Sequence, residues 1–281
     1  MGKLKQIFKE NWFGITISYS LFSLQAISML IYPKVLGDTI DHLIAKDYSY
    51  VIYLLLTFLS VMVFNYLSRV YDTIIFSKIY RRFASVETNK QLDNNVETTK
   101  INGRLTLMSS IIQFFERDML MVLQAFFGLV GSMYFISLVD KGMLFYLIIS
   151  GVLTLIISYY FTPKIGAITK LSNDISEEQT QIVNERNITL LNNLLRRKQK
   201  LSVKLSNIDA KFFFLIQFVA YGTVTSLLTY YVAFNPVSVG SVFSTYRYLF
   251  DFVVSVSIVP TLLTSFINIK DVIKRLETQE D

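Results

Sequence analysis

Residues 212–234 read FFFLIQFVAYGTVTSLLTYYVAF and residues 239–269 read VGSVFSTYRYLFDFVVSVSIVPTLLTSFINI, with NPVS (235–238) between them. Each run is apolar over at least the roughly 20 residues that a helix needs to cross a bilayer core of about 30 Å. Neither alternates apolar and polar positions as a membrane β-strand would, so both read as membrane-spanning helices. Four more stretches meet the same length rule: Phe13–Tyr32, Val51–Val70, Met119–Leu138 and Met143–Phe161. The expected fold is an all-α membrane protein, residues 1–281 forming a single six-helix domain with spans at 13–32, 51–70, 119–138, 143–161, 212–234 and 239–269.

Composition points the same way. The chain is 52% hydrophobic and only 17% charged, too little polar surface to cover one soluble core of this length. It has no Cys and a single His, His42, which excludes disulfides, thiol catalysis and multi-histidine metal sites. No metal ligand set and no cofactor are expected in this chain. Lys3, Lys5 and Lys9 precede the first apolar run, but that run is too long for a signal peptide and lacks a small-residue cleavage site. It reads as a retained first span.

Between the spans, short and long joints alternate with charge. About four residues around Asp140-Lys141-Gly142 join spans three and four, and a similar joint around Asn235-Pro236 joins spans five and six. The segments 71–118 and 162–211 are each about 50 residues and hold much of the Lys and Arg, whereas the opposite joints hold only Lys34, Lys46 and Lys141. The positive-inside rule places the long segments and both termini in the cytoplasm of a multi-pass cell (inner) membrane protein. It also accounts for the net charge of +6 without nucleic acid, which is not an expected partner.

The long segments carry helical stripes: Ile74, Ile75, Ile79, Phe83 and Val86 in the first, then Leu105, Met108, Ile112 and Phe115. In the second, Ile165, Ile168, Leu171 and Ile175 form one stripe, and Ile188, Leu191, Leu195, Leu201, Leu205 and Ile208 another, interrupted by Lys198. Turn formers lie near the middle of each, at Asp93-Asn94-Asn95 and at Asn184 and Asn187. Each segment is therefore expected to be a helical hairpin reaching roughly 35 Å from the membrane. Amphipathic helices lying on the membrane surface are the alternative.

Six helices with two long inward hairpins and short outer turns resemble the transmembrane domain of ABC exporters. Local motifs carry the likeness in order. Pro33-Lys34-Val35-Leu36-Gly37-Asp38-Thr39-Ile40-Asp41-His42-Leu43 is similar to that family's Pro-x-x-x-Gly-x-x-Ile-Asp-x-Leu. Gly103-Arg104-Leu105 resembles its Gly-x-Leu at the third helix, Val237–Val242 its Leu-Thr-x-Gly-x-Leu/Val, and Arg275 the Arg that closes the domain. The resemblance implies two six-helix chains, identical or related, around one pathway. It also implies a separate ATP-binding subunit docked on the hairpin tips, here Asn94, Asn95, Glu97, Asn184, Glu185, Arg186 and Asn187. Around Glu185-Arg186-Asn187-Ile188 the family's Gly is missing. No G-x-x-x-x-G-K-[ST] loop occurs, so ATP hydrolysis is expected of a partner and the chain itself is not expected to be an enzyme.

Ionisable residues inside a span are functional candidates because placing a charge there is costly, about 3 kcal/mol on insertion scales. Arg247 and Asp251, one helical turn apart, are expected either to face the substrate pathway or to neutralise each other structurally. Arg69, Asp72, Glu116, Arg117 and Asp118 share one membrane level and are expected to form interfacial ion pairs, with substrate contact the alternative. Pro33 and Gly37 are expected to break the first helix, Pro260 to kink the sixth, and Asp41 and His42 to be solvated or capping groups. The leading functional reading is the membrane subunit of an ABC-type transporter. An ion-gradient-driven, SbmA-like transporter using Asp251, or a non-transporting scaffold, are the alternatives.

Overall fold

The computed structural model describes residues 2–93, 98–184 and 188–278. Helices α1 (Gly2–Ile44), α2 (Val51–Asp93), α3 (Thr98–Gln113), α4 (Met119–Val139), α5 (Lys141–Asn184), α6 (Ile188–Phe234) and α7 (Val239–Thr278) follow in order, and no strand occurs among the described residues. A π-helical turn, Phe114–Asp118, joins α3 to α4 into one long rod. Six of the helical rods are long and apolar enough to cross a membrane. The protein is an all-α membrane protein, with six long apolar helices as expected.

The packing is organised around α7, which touches every other described element except α2. Its Tyr248, Leu249, Phe252, Val253 and Val256 are buried in the largest core with Ile136 of α4, Met143 and Leu147 of α5, and Phe212, Ile216 and Ala220 of α6. Two stacked ring pairs lock this core: Phe135 on Tyr248 with centroids 4.5 Å apart, and Phe161 on Phe212 at 5.2 Å. At the other extreme α2 packs only on α1, α3 and the π-helical turn. Its outer side, including Leu55, Leu56, Leu59, Met62 and Tyr66, is exposed and apolar, as suits a helix solvated by lipid chains.

Beyond the membrane level the helices run on as two antiparallel pairs. A second core of Ile15, Phe76, Ile79, Ile111, Ile112, Phe114, Phe115 and Ile269 ties α1, α2, α3 and α7 together. Ile175 and Leu194, flanked by Leu191 and Leu201, hold α5 to α6. Lys198, the polar interruption in the α6 stripe, donates its ammonium to Gln179 Oε1 across that pair at 3.1 Å, so the charge is answered inside the hairpin. Neither α2 nor α3 touches α5 or α6; α7, packed on both halves, and α4, which touches α1 and α5, bridge them.

Two expectations need correction. The stripes drift: Leu171, Leu195, Ile188, Ile74 and Val86 are exposed, and Leu194 is the buried residue where Leu195 was expected. A 3.6-residue repeat moves off any fixed face over several turns, so the outer members of each stripe rotate away. Second, Pro33 and Gly37 do not break α1, which runs unbroken to Ile44. Proline costs a helix its i−4 bond, here to the Met29 carbonyl, and crowds the preceding carbonyls, but a packed neighbour can hold the helix through the turn. Here α7 is that neighbour, with Tyr248 Oη donating to Leu30 O at 3.1 Å and Ser244 Oγ to Pro33 O at 2.8 Å.

Candidate functional site

Polar side chains scattered through three apolar helices converge on one cavity of about 710 Å³. It lies between α1, α2 and the rod formed by α3, the π-helical turn and α4. Asn65, Ser68, Arg69 and Asp72 enter from α2, about 20–30 Å along that helix from its short-turn end. Gln25 enters from α1, and Gln113, Glu116 and Gln124 from the rod. Phe22, Met29, Leu120 and Met121 supply apolar wall, so the cavity has the mixed lining of a small-molecule site.

Neighbouring residues of α1 set the frame. Ser18 Oγ, fully buried, donates to Asp72 Oδ1 at 2.8 Å and ties α1 to α2. Tyr19 Oη donates to the Phe115 carbonyl at 3.1 Å and ties α1 to the π-helical turn. That turn opens because the Met119 amide bonds Phe114 O, five residues back, which shifts the hydrogen-bond ladder by one place. Single π-turns recur at functional sites because they re-aim the side chains they carry. This one carries Glu116 and Arg117 to the cavity, and a smaller cavity of about 320 Å³ lies against it, sharing Gln113 and Arg117 and extending to Asn173 and Asn268.

The expected interfacial pairing is present only in part. Arg117 Nε meets Asp118 Oδ1 at 2.9 Å, but Asp72 bonds Ser18, and Arg69 Nε donates to Asn65 Oδ1 at 3.1 Å. Glu116 accepts no hydrogen bond from a described residue. The cavity stands between α2 and the π-helical turn, and the charges on its two sides do not close across it.

Arg247 and Asp251 do form an ion pair, 3.1 Å apart along α7, with both side chains partly buried. The guanidinium also lies 5.7 Å from the Phe250 ring centroid, while its buried Nε has no hydrogen-bond partner among the described residues. At about 12 and 18 Å from the short-turn end of α7, the pair sits at a different depth from the cavity and lines neither void.

At the short-turn end the motif around Pro33 and the motif around Gly240 prove to be two sides of one seam. Asp41 of α1 caps α7: Oδ1 accepts the Gly240 amide at 2.8 Å and Oδ2 the Ser238 hydroxyl at 2.5 Å. Ser238 and Ser241 exchange amide-to-hydroxyl bonds of 2.9 and 3.1 Å, a reciprocal cap that completes the helix start. A Cβ on Gly240 would collide with the Gly37 carbonyl, and one on Gly37 would come within 2.5 Å of the Gly240 carbonyl. Small residues here let two backbones touch, the usual device for membrane helices in close contact. His42 stacks on Tyr50 at 3.7 Å and bonds Asp47, in a structural role. The Ser49 amide and hydroxyl, then His42, hold the Asp47 carboxyl down to about 2. Lys46 ends α1 in the left-handed region, φ 61°, with the Asp47 amide returning to His42 O at 2.8 Å.

Of the expected coupling residues, Asn94, Asn95, Glu97, Glu185, Arg186 and Asn187 lie outside the described residues, and Asn184 is the last residue of α5. The sequence placed Arg69, Asp72, Glu116 and Arg117 at one membrane level but did not show that they line a cavity with Gln25, Asn65, Gln113 and Gln124. Its residues are separate polar interruptions in different spans, and only their shared helical level could have hinted at it.

A comparison with curated proteins gives no match. The ABC transporter transmembrane region matches the chain over residues 4–240, from the start of α1 to the Asp41-bound Gly240, leaving Arg247 and Asp251 beyond it. With six membrane-length helices, two long helical hairpins and that match over most of its length, the chain belongs to the ABC transporter transmembrane region family.

Proposed function

We propose that this chain is the membrane-spanning subunit of an ABC-type transporter, moving a substrate across the cell (inner) membrane with energy from a separately encoded ATPase. The observation that carries this reading is the polar cavity inside an otherwise apolar helix bundle. Charged and amide groups at membrane depth are costly unless they line a path or site for a polar ligand. The separation of the hairpins supports the rest: with α2 and α3 clear of α5 and α6, a second copy or a related chain has room to complete the pathway. The basic hairpin end is then cytoplasmic, as are both termini, and the hairpin tips are where the ATPase docks.

The ion-gradient alternative would use Asp251 as its proton carrier. Its side chain is engaged by Arg247 at 3.1 Å and lines neither cavity, which weighs toward the ATPase reading. Membranes carrying the chain, with and without a candidate ATPase, test the proposal. Expected is an ATPase that co-purifies with the chain and whose hydrolysis rate changes in its presence. Transport that survives ATP depletion but collapses with an uncoupler would overturn it.

A further inference from the structure

We propose that the cavity between α1, α2 and the π-helical turn binds a small zwitterionic amphipath with amide groups, a short peptide with free termini, its ammonium at Glu116 and its carboxylate at Arg69.

The cavity offers one open group of each sign. Of its two carboxylates, Asp72 already receives the Ser18 hydroxyl, whereas Glu116 accepts no hydrogen bond from a described residue. Of its two guanidiniums, Arg117 has its charge paired with the Asp118 carboxylate, whereas Arg69 bonds only the neutral amide of Asn65 and its charge is left for a ligand. Arg69 projects from α2 and Glu116 from the π-helical turn, so the open charges stand on different walls. A ligand that bridges them must carry both signs; an anion or a cation alone leaves one wall unanswered.

The neutral lining narrows the class. Gln25, Gln113 and Gln124 each present an N–H donor and a carbonyl acceptor, the pairing that a peptide backbone reciprocates unit by unit. A zwitterionic lipid headgroup has acceptor oxygens and an ammonium but few groups to meet three carboxamides. The wall of Phe22, Met29 and Met121 takes apolar side chains, with methionine able to adapt to several shapes. At about 710 Å³ the void falls in the range that holds small ligands and is too small for a folded protein. The inference deepens the transport reading only by giving that transporter a substrate class; binding itself needs no ATPase, so the two can fail separately.

The test uses the purified full chain in nanodiscs and calorimetric or fluorescence titration with leucyl-alanyl-leucine. The same peptide N-acetylated, C-amidated, or both serves as the comparison series. Free peptide is expected to bind, and capping either terminus to weaken binding about tenfold or more, the usual effect of losing a hydrogen bond to a charged group. Glu116→Gln should remove the penalty for acetylation while keeping that for amidation, and Arg69→Gln the reverse. Glu116→Asp and Arg69→Lys, which keep the charges, should retain the wild-type preference. Equal affinity for free and doubly capped peptide, no binding at millimolar peptide, or full competition by phosphatidylethanolamine would each overturn the assignment. Because the capped series is measured on wild-type protein, that result stands even where a variant fails to fold.

Discussion

Replacing Gly240 by Ala adds one methyl where α1 crosses α7, directly against the Gly37 carbonyl. The obstacle is backbone, not the end of a flexible side chain, so the helices themselves must separate. Overpacking of this kind costs about 1–3 kcal/mol. Separation also stretches the 2.8 Å bond from the Gly240 amide to Asp41, a charge-assisted bond worth about 1.5–3 kcal/mol when intact. Better helix propensity returns at most about 1 kcal/mol. The net loss is then about 2–4 kcal/mol, which for a chain of this size lowers the melting temperature by about 3–7 °C. Thermal unfolding in detergent, at one scan rate because membrane proteins often unfold irreversibly, reads the shift. Gly222→Ala is the control: a Cβ there meets nothing within 4 Å, and the same propensity argument gives no loss or a small gain. Equal melting temperatures for Gly240→Ala and Gly222→Ala would refute the account of the seam.

Four other perturbations follow from the same geometry. Asp41→Ala removes both cap bonds and should destabilise by about 1–3 kcal/mol, with Asp41→Asn losing less, measured by the same melts. Arg247→Ala should lower stability more than Arg247→Ala combined with Asp251→Ala, because the single change leaves a partly buried carboxylate without its partner. If transport is unaffected by either substitution at normal expression, the pair is structural only. Lys46→Gly relieves a left-handed lysine and should stabilise by about 0.5–1 kcal/mol. The depressed Asp47 carboxyl contributes stability that is complete above the ordinary carboxylate range, near pH 4, and is lost as pH falls through about 2. A pH series of melts on wild type and Asp47→Asn should therefore separate above about pH 4 and converge at the acid end.

Hydrophobic length was the part of this fold most open to reading, because a bilayer imposes a span on the sequence itself and needs no tertiary partner to be recognised. The i, i+4 rule likewise placed Arg247 beside Asp251 without further information. What could not be read was which element answers which. Pro33 carries a local instruction to break a helix, yet α1 runs through it, packed on α7 and joined to it there by two hydroxyl groups more than 200 residues away. Asp41 looks like a capping residue from its position, but the helix it caps is the last one, not its own. The π-helical turn has no signature in FFERD, since the extra residue is accommodated by Tyr19 and the surrounding core. The stripe through Leu195 shows the remaining limit: over six turns a one-residue ambiguity decides which leucine is buried, and packing against Ile175 selects Leu194.

The cap that Asp41 places on α7 also bears on how the chain is built. A ribosome delivers α1 long before α7, and the bonds joining them span 197 to 218 residues of sequence. Until α7 is inserted, the carbonyls around Pro33 lack their α7 donors and the Asp41 carboxylate has no amide to hold. Insertion of α7 thus acts as a clasp that fastens α1 long after α1 itself is in place. A ribosome-bound chain halted before α7 has left the ribosome should leave the Pro33–Asp41 stretch of α1 open to proteases, and one long enough for α7 to insert should protect it.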